Sequence, residues 1–359
     1  MRVGVIGGGL AGLTVALGRS TAGDDVLLFE AGGRLGGQLW TERSDGFIIE
    51  HGAEGFVARS EAVAALASSL GIGDDLIGQS VSRSYGYDGA RLVPLAPGEA
   101  ASFLGFQVPQ GELGKGIRAF RHGMGQLVDA LVRAIAATGR VDVRLGARVL
   151  RITSADPRWT VVLEDGTRHE IDAVVMAAPA SAAATMLEGE LGEVARAIGR
   201  ATTQSSCTVT LAYPREAIEH PLDGTGFVVA AAHQEHGFRA TTFITSKFPA
   251  RAPEGHASLR IFFRPEPEDL ATLRDEAWTT RAEDCLGRVL PVRGRAARAW
   301  VSRWGSALPV FEPGHIERVR ALEAALAGRR VLLAGSAFHG SGIDAAVRSA
   351  AAAATALSE

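Results

Sequence analysis

Three glycines near the start of the chain have the spacing of a phosphate-binding turn. Gly7, Gly9 and Gly12 form a G-x-G-x-x-G motif between strand-like RVGVI and helix-like GGGLAGLTVALGRS. The first glycine permits a tight turn, the second lets the backbone approach a pyrophosphate, and the third lets the helix pack closely on the strand. The helix N-terminus adds N–H donors and the positive end of its dipole. The motif therefore predicts a βαβ unit that binds a nucleotide.

A carboxylate follows at the position where a ribose would lie. Glu30 ends the second predicted strand, DVLLFE, and can accept hydrogen bonds from ribose hydroxyls. A glycine motif alone is a weak signal, because a plain glycine turn gives the same pattern. The strand, the helix and Glu30 together favour the nucleotide site, but they do not distinguish NAD from FAD.

The stretch after this carboxylate, AGGRLGGQLWTERSDGF, resembles the R-x-G-G-x-x-x-T signature of the flavin amine oxidase superfamily. The matching residues are Arg34, Gly36, Gly37 and Thr41. Gln38 departs from the pattern, since the family often has arginine or lysine there. The resemblance implies FAD, with Arg34 offsetting pyrophosphate charge and the paired glycines letting the backbone approach the flavin. A solvated surface arginine is the alternative for Arg34.

The C-terminal stretch VLLAGSAFHGSGIDAAVRSA resembles the last flavin-binding segment of the same superfamily. A strand there leads through a glycine-rich turn to a helix whose N-terminus faces the flavin, and the helix dipole would stabilise the anionic reduced flavin. Gly335, Ser336, Gly342 and Ile343 occupy the matching positions. His339 lies in the same turn, either as a candidate acid–base group or as a histidine packed beside it.

Two further positions complete the cofactor site that the resemblance implies. Val149 in ARVLRI stands where the family's backbone contacts adenine, and Trp304 stands where members carry an aromatic residue near the flavin. A plain core tryptophan is the alternative for Trp304. The implied cofactor-binding residues are Gly7, Gly9, Leu10, Ala11, Gly12, Glu30, Ala31, Arg34, Gly36, Gly37, Gln38, Val149, Trp304, Gly335, Ser336, Gly342 and Ile343.

Several stretches outside the flavin motifs are similar to protoporphyrinogen and coproporphyrinogen oxidases, among them FRHGMGQLVDAL, TSKFPARAPEGHASLRIFF and RWGSALPVFEPGH. The resemblance implies oxidation of a porphyrinogen-like substrate by hydride transfer to flavin N5, in which positioning contributes much of the catalysis. One departure is that only residues 96–121 replace a long helical segment, which in the family builds much of the substrate pocket and the membrane-binding surface. Another is ALPVF, where the family commonly reads A-x-P-Q.

Candidate substrate residues are few. Family oxidases hold a substrate propionate with an arginine of the early hairpin, and Arg83 lies one position from that place; a surface arginine is the alternative. Amine oxidases proper usually carry a lysine near flavin N5, but Lys115 and Lys247 stand in no matching context. Segment 246–255, SKFPARAPEG, is expected to be a structural loop, with Lys247 in solvent and the following Phe-Pro pair covering a sheet edge.

Composition excludes several other classes of protein. The 359 residues are 47% hydrophobic and 21% charged, with a net charge of −3 and no long run of one sign, so no nucleic-acid surface is expected. Cys207 and Cys285 have no metal-like spacing and are expected to be reduced thiols, without a metal site. Neither a signal peptide nor an apolar run of about 18 residues is present, which favours the cytoplasm and at most weak peripheral membrane contact.

The pattern of elements predicts an α/β plus β fold. A discontinuous Rossmann-like FAD-binding domain is expected from residues 1–78, 122–188 and 296–359, and a second, mostly antiparallel substrate domain from residues 79–121 and 189–295. No second G-x-G-x-x-G motif marks an NAD(P)H domain, so oxygen, a quinone or another external acceptor would reoxidise the flavin.

Three functions are compatible with these features. The first is an FAD-dependent oxidase whose small-molecule substrate is a porphyrinogen or a similar tetrapyrrole. The second is a flavin dehydrogenase or desaturase on an unrelated small molecule, because the pocket-building segment is so short. The third is a non-catalytic FAD- or tetrapyrrole-binding protein, which the presence of both flavin-facing segments disfavours.

Overall fold

The computed structural model of the protein describes residues 1–96, 98–100 and 116–357. Most of the shortened segment, including Lys115, lies outside these residues. In chain order the described strands are β1 (Arg2–Ile6), β2 (Asp25–Phe29), β3 (Thr41–Ser44), β4 (Phe47–Glu50), β5 (Leu76–Gly78), β6 (Ser84–Tyr87), β7 (Leu92–Leu95), β8 (Arg118–Phe120), β9 (Val141–Arg144), β10 (Val149–Ala155), β11 (Arg158–Leu163), β12 (Arg168–Ile171), β13 (Ala173–Met176), β14 (Thr203–Pro214), β15 (Gly226–Val229), β16 (Phe238–Phe243), β17 (His256–Phe263), β18 (Arg298–Pro309) and β19 (Val331–Leu333).

The described helices alternate with these strands. In chain order they are α1 (Leu10–Thr21), α2 (Ala62–Ser69), α3 (Gly125–Thr138), α4 (Ala180–Leu191), α5 (Glu193–Gly199), α6 (Ile244–Lys247), α7 (Pro267–Thr272), α8 (Asp275–Gly287), α9 (His315–Leu326) and α10 (Ile343–Ala356). None of them is long and apolar enough to cross a membrane.

Five strands form a parallel sheet in the order β19-β13-β1-β2-β9. Strands β1, β2 and β13 are buried along nearly their whole length, which is why they read as unbroken apolar runs. In the middle of the sheet Val5 lies between Leu28 of β2 and Val175 of β13. The strands come from the start, the middle and the end of the chain, so the predicted discontinuous Rossmann-like arrangement is confirmed.

Different layers cover the two faces of the parallel sheet. On one face Leu13 of α1, Leu131 of α3 and Val347 of α10 share a core cluster with Val3 and Val5. On the other face the core cluster joins β2 and β13 to α4 and to the small antiparallel sheet β10-β11-β12. This layering leaves the carboxyl ends of the strands open, where ligands bind in sheets of this kind.

A second, seven-stranded sheet has the order β18-β14-β17-β16-β15-β6-β7, and its neighbours are antiparallel except β15 and β6. One face packs against α8, with Val209, Ile261 and Trp278 in a shared core. Thr208 and Arg260 are buried on the opposite face, where Arg260 Nη2 donates to the His51 carbonyl in the loop after β4 over 3.3 Å. The mostly antiparallel second part of the predicted fold is therefore present.

Strand β18 departs from the predicted division of the chain. Residues 296–359 were expected in the FAD-binding part, but β18 pairs with β14 from Ala212↔Arg298 to Thr203↔Pro309 and forms an edge of the seven-stranded sheet. The sequence alone does not show which sheet β18 joins, because the side chains of a strand alternate with a period of two in either sheet. The boundary therefore lies after β18.

Candidate functional site

The glycine turn lies between the carboxyl end of β1 and α1. A Cβ on Gly12 would come within 1.8 Å of the Gly7 carbonyl oxygen, so the close packing excludes any side chain there. A Cβ on Gly9 would meet only the Cα of Gly37, at 3.9 Å. The protein's own packing therefore does not require glycine at position 9, and the open space beside it fits a bound phosphate group.

The arginine-glycine loop that follows β2 lies directly on this turn. The Gly36 N–H donates to the Gly8 carbonyl over 2.8 Å, and Gly9 and Gly36 form a parallel bridge. Gly36 and Gly37 have φ angles of 99° and 55°, in the region that favours glycine. The two motifs therefore build one continuous surface although all of α1 and β2 separate them in the chain.

Glu30 occupies the end of this surface where a ribose would lie. Its carboxylate accepts hydrogen bonds from the Gly8 and Gly32 N–H groups, both over 2.7 Å. Its backbone carbonyl accepts from the Ala147 N–H over 2.9 Å, which brings the start of β10, with Val149, beside it. The structure thus groups the predicted ribose and adenine positions at one end.

Arg34 is held within its own loop. The guanidinium donates to the Leu35 carbonyl over 3.1 Å and to the Gly37 carbonyl over 2.5 Å, and it lies 4.7 Å from the centre of the Trp40 ring. Burial lowers the pKa of Arg34, and the charge of Glu30 opposes that shift. Arg34 is therefore half-buried and ordered rather than free in solvent, close to where the phosphates are expected.

The C-terminal turn, which follows β19 at an edge of the parallel sheet, also lies against the start of α1. A Cβ on Gly335 would lie 3.3 Å from the Cβ of Ala11, so this turn contacts the first turn of α1. The Gly335 N–H donates to Ser349 Oγ over 2.9 Å, which ties the turn to α10. Gly342, with a φ of 95°, precedes Ile343 at the start of α10 and has open space where a Cβ would stand.

The remaining predicted cofactor residues lie along the same surface with different exposure. Leu10 and Ala11 are buried in the first turn of α1, Ser336 is half-buried in the C-terminal turn, and Ala31 is exposed after β2. Backbone groups rather than side chains are therefore the main donors that this part of the site can offer.

The seven-stranded sheet contacts the arginine-glycine loop through β18. Gln38 Nε2 donates to the Ala307 carbonyl over 2.6 Å, and the Gln38 carbonyl accepts from the Ala53 N–H over 3.2 Å. Trp304 Nε1 donates to the His51 carbonyl over 2.7 Å. Trp304 and Gln38 therefore both lie at the junction of the two sheets, at the end of the surface opposite Glu30.

Beside this junction lies a buried cluster of charged side chains that the sequence did not predict. Lys247 pairs with Glu54. Arg251 Nη1 lies 3.0 Å from Glu50 Oε1, and Arg260 Nη1 lies 3.9 Å from Glu54 Oε2. The side chains of the three cations are between 1% and 6% exposed. The expected solvent position of Lys247 is wrong, because a buried carboxylate compensates its charge.

The segment around Lys247 also differs from a simple loop. Residues Ile244–Lys247 form α6, Phe248 packs into the core beneath the parallel sheet, and Pro249 is exposed. One feature of the sequence could have predicted the buried charged cluster. It is the pair of acidic residues in IIEHGAE, one at the end of an apolar strand and one just after it. Acidic groups in such a position need cationic partners from elsewhere in the chain.

The charge of Glu54 is maintained by its neighbours. Burial alone would raise the pKa of Glu54, but the charges of Lys247 and Arg260 outweigh burial and lower it. Burial lowers the pKa of Arg260, and the nearby carboxylates oppose that shift. The cluster therefore keeps fixed charges next to the place where the two sheets meet.

Arg83 does not lie beside Trp304. Its side chain is 58% exposed and pairs with Asp223 over 2.5 Å, and Asp223 also accepts from the Tyr85 hydroxyl over 2.6 Å. Arg83 precedes β6, which is five strand positions from β18 in the sheet, or roughly 24 Å at the usual strand spacing. The structure thus keeps this predicted substrate residue at the far side of the sheet.

His339 faces away from the glycine turn. Its Nε2 lies 3.4 Å from Glu323 Oε1 on α9, and its ring lines a cavity of about 850 Å³ between α9, β19 and α10. No residue of the G-x-G-x-x-G turn lines that cavity. The arrangement corresponds to a histidine packed beside the C-terminal turn.

The two cysteines offer little reactivity. Both are buried and free, and burial raises the pKa of Cys207 to about 12 and that of Cys285 to about 11. A protonated thiol is a poor nucleophile and a poor metal ligand. Within the described ranges no cluster of His, Cys, Asp or Glu has the arrangement of a metal site.

Comparison of this chain with known protein families agrees with the geometry described above. The model of the flavin containing amine oxidoreductases matches residues 10–113 and 96–358. This chain belongs to that family. The family identifies the cofactor of the site as a flavin and the chemistry as oxidoreduction. The two matched segments overlap at residues 96–113.

Several relatives with a named activity are coproporphyrinogen III oxidases. The protein of Propionibacterium freudenreichii subsp. freudenreichii is 33% identical over 230 residues, which cover 63% of this chain but only 42% of that relative. The protein of Bacillus subtilis (strain 168) is 24% identical over 94% of both chains. That alignment has 448 positions against 359 residues here, so at least 89 of its positions fall opposite gaps in this chain.

Solved structures show the same fold. A candidate protoporphyrinogen oxidase from Exiguobacterium sp. 255-15 superposes with a TM-score of 0.83 at 22% identity, covering 99% of this chain and 98% of that one. A putrescine oxidase superposes with a TM-score of 0.74 at 16% identity, covering 99% of each chain. The arrangement of the two sheets is therefore shared with these two solved structures.

Proposed function

We propose that this chain is an FAD-dependent oxidase that takes hydride from a porphyrinogen-like substrate in the cytoplasm and passes the electrons to oxygen or a quinone. The observation that carries the proposal is the contact of the arginine-glycine loop with both halves of the molecule. Gly36 bonds to the nucleotide turn, and Gln38 bonds to β18 of the antiparallel sheet. The flavin-binding surface therefore ends where a substrate can lie against that sheet.

FAD is favoured over a mononucleotide because the surface has two ends. Glu30 and Val149 lie at one end, Gln38 and Trp304 lie at the other, and the glycine turn stands between them. A dinucleotide needs a ribose site, a pyrophosphate site and a ring site in that order. A mononucleotide would leave the Glu30 end without a ligand.

The substrate class rests on the relatives and on the sheet face at the ring end. Three of the relatives with long alignments are coproporphyrinogen III oxidases at 24%, 28% and 21% identity. The face beside Trp304 also carries the half-buried ring of Phe262. Aromatic side chains of this kind suit a flat macrocycle, since ring faces stack on one another.

The chain's own residues bind and position rather than react covalently. When bound, the flavin supplies the acceptor for a hydride. The α1 N-terminus and Arg34 offset phosphate charge, and Glu30 is placed to accept from ribose hydroxyls. Aromatisation of the substrate drives the reaction, so correct placement of the donor carbon contributes most of what the protein must add.

Anaerobic mixing with a porphyrinogen tests this proposal. Purified flavin-loaded protein is mixed with coproporphyrinogen III and separately with protoporphyrinogen IX, and the visible flavin band is followed before air is admitted. We expect bleaching by at least one porphyrinogen and porphyrin fluorescence afterwards. Cofactor released by heat should co-migrate with FAD in chromatography. Bound flavin that dithionite bleaches but neither porphyrinogen bleaches would refute the substrate assignment.

One observation favours a second function. The alignment with the Bacillus subtilis relative contains gaps opposite this chain, and the two segments that match the family model overlap at residues 96–113, where the family's pocket-building segment is expected. A flavin dehydrogenase or desaturase acting on another small molecule fits such a reduced pocket. Bleaching by small amines or cyclic alkenoic acids, without bleaching by porphyrinogens, would favour this second function.

A further inference from the structure

A cavity of about 850 Å³ lies between α9, β19 and α10, at one edge of the parallel sheet. Strand β19 has a strand neighbour on one side only, so the cavity runs along the free edge of that sheet. Its volume falls in the range of roughly 300–1,000 Å³ that is usual for pockets that hold small molecules. None of the predicted cofactor-binding residues, all of which the structure describes, lines the cavity. The cavity is therefore separate from the candidate flavin surface.

The walls of this cavity are mostly apolar. Helix α10 contributes small side chains at positions i, i+3, i+4 and i+7, which lie on one face of a helix, namely Ser349, Ala352, Ala353 and Ala356. At the usual rise of 1.5 Å per residue this face extends over roughly 10 Å, or about two turns. Leu326 of α9 and Leu333 of β19 line other parts of the wall. The cavity is open to solvent on one side, where Ala352 and Ala356 are exposed.

Arg330 lines this cavity without a carboxylate partner. Two other cations of the lining are already paired, since the Met1 ammonium lies 2.7 Å from Asp24 Oδ1 and Arg348 Nε lies 2.9 Å from Asp344 Oδ2. Arg330 is exposed, and in the part of the chain that the structure describes no carboxylate lies within ion-pair distance of it. An apolar cavity with one free guanidinium group suits a ligand that carries one anionic group.

The charges at the two ends of β19 indicate how such a ligand lies in the cavity. Arg330 precedes the first residue of β19, whereas the C-terminal turn with His339 follows the last. Near the turn, Glu323 Oε1 lies 3.4 Å from His339 Nε2, so a carboxylate already occupies the place beside the imidazole ring. A second carboxylate would be repelled there and attracted by Arg330. The anionic group is therefore expected at Arg330, with the apolar part along α10 towards Ser349.

We propose that this cavity binds a carboxylate that carries a long unbranched apolar chain. The carboxylate pairs with Arg330, because a guanidinium group binds a carboxylate through two parallel hydrogen bonds. The chain packs along the small side chains of α10 and against Leu326, which requires a ligand that is long rather than wide. This second site does not depend on the proposed function, because no predicted cofactor-binding residue lines it.

Titration of dodecanoate into the flavin-loaded protein, followed by calorimetry, tests the proposal. We expect one saturable site, with a Kd that falls about 4-fold for each two methylene groups added from octanoate to dodecanoate, because the open cavity buries only part of each methylene group. Dodecyltrimethylammonium has the same chain and the opposite charge, and it should bind at least about 5-fold more weakly. The compact acid 1-naphthoate should also bind more weakly than dodecanoate, because it cannot extend along α10.

Neighbouring residues provide matched control variants. R330Q should raise the Kd of dodecanoate about 5-fold, whereas R329Q should leave it within about 2-fold, because Arg329 is also exposed but does not line the cavity. A352F should raise Kd at least about 10-fold, since the ring fills the space of the chain. A351F, on the same helix but outside the cavity, should not. R330E should bind dodecyltrimethylammonium more tightly than dodecanoate, a reversal that a purely structural role of Arg330 does not predict.

Several results would overturn the proposed site. They are the absence of saturable dodecanoate binding, equal Kd values for the two head groups, and equal losses in R330Q and R329Q. Binding that A352F leaves unchanged would place dodecanoate elsewhere on the protein and would overturn the site as well. Flavin content and the thermal unfolding midpoint are measured for every variant. R330Q changes an exposed side chain, so it tests the site even where A352F fails to fold.

Discussion

Lys247 and Glu54 hold opposite charges inside the protein, where neither could stay charged alone. Their side chains are 6% and 16% exposed, and Arg260 lies next to them. Breaking a buried pair leaves one ion without compensation, whereas replacing both partners removes the charge and the cost together. The role of Lys247 at residue scale is therefore to neutralise Glu54 rather than to serve as a surface cation.

Substitution of Lys247 should be strongly destabilising. We expect K247M to lower the free energy of unfolding by about 3–5 kcal/mol, because buried Glu54 loses its hydrogen-bonded cation and keeps only the weaker compensation of Arg260 and Arg251. The double variant K247M/E54Q should recover most of this loss. Urea denaturation monitored by circular dichroism measures both. Equal stability of K247M and the wild type would contradict the buried pairing.

At the scale of elements, the turn between β1 and α1 contains two glycines whose surroundings differ. Gly12 is required by the contact of helix and strand, since a Cβ there would lie 1.8 Å from the Gly7 carbonyl oxygen. Gly9 faces open space, with only the Gly37 Cα at 3.9 Å. Gly12 is therefore required by the fold, whereas Gly9 leaves space that the protein itself does not fill.

Alanine substitutions should distinguish these two glycines. G9A is expected to keep the unfolding midpoint of the flavin-free protein but to bind flavin at least about 10-fold more weakly, because the methyl group occupies the space of a phosphate. G12A should lower the midpoint of the flavin-free protein itself by several degrees, since the helix must move away from the strand. Calorimetry and flavin titration measure both effects. Similar losses of stability in the two variants would contradict the assignment.

At the scale of the whole molecule, the buried charges tie the β3–β4 hairpin and the loop after it to the region of the large sheet. Glu50 ends β4 and Glu54 follows it, whereas their cationic partners come from α6, the segment after α6, and β17 of the large sheet. The flavin surface crosses the same junction through Gln38 and Trp304. Loss of charge at the junction should therefore affect stability and flavin binding together.

Acid should weaken this junction through Glu54. Its pKa in the folded protein is lowered from the ordinary value of 4.5, so its contribution to stability is complete above that value and is lost as pH falls through the lower, folded pKa. The wild type should therefore lose more stability than E54Q between about pH 5 and the folded pKa. Chemical denaturation at a series of pH values measures the difference. Parallel pH profiles for the two proteins would contradict this linkage.

Local patterns were sufficient for much of the fold and for one half of the candidate site. Strand β1, helix α1 and strand β2 lie where the glycine motif predicts a βαβ unit. The boundary near β18 and the environment of Lys247 were not predictable in the same way. Both depend on partners far away in the chain, and a period of two or a lone cation is compatible with several such partners.

The sequence by itself determined the nucleotide turn, the arginine-glycine loop and the family, because these features need particular residue types at fixed spacing. The tertiary structure alone decided which charged groups meet. It placed Arg83 opposite Asp223 and brought Glu54 to Lys247. Charge pairing depends on distance in space, and a sequence without its fold does not state those distances.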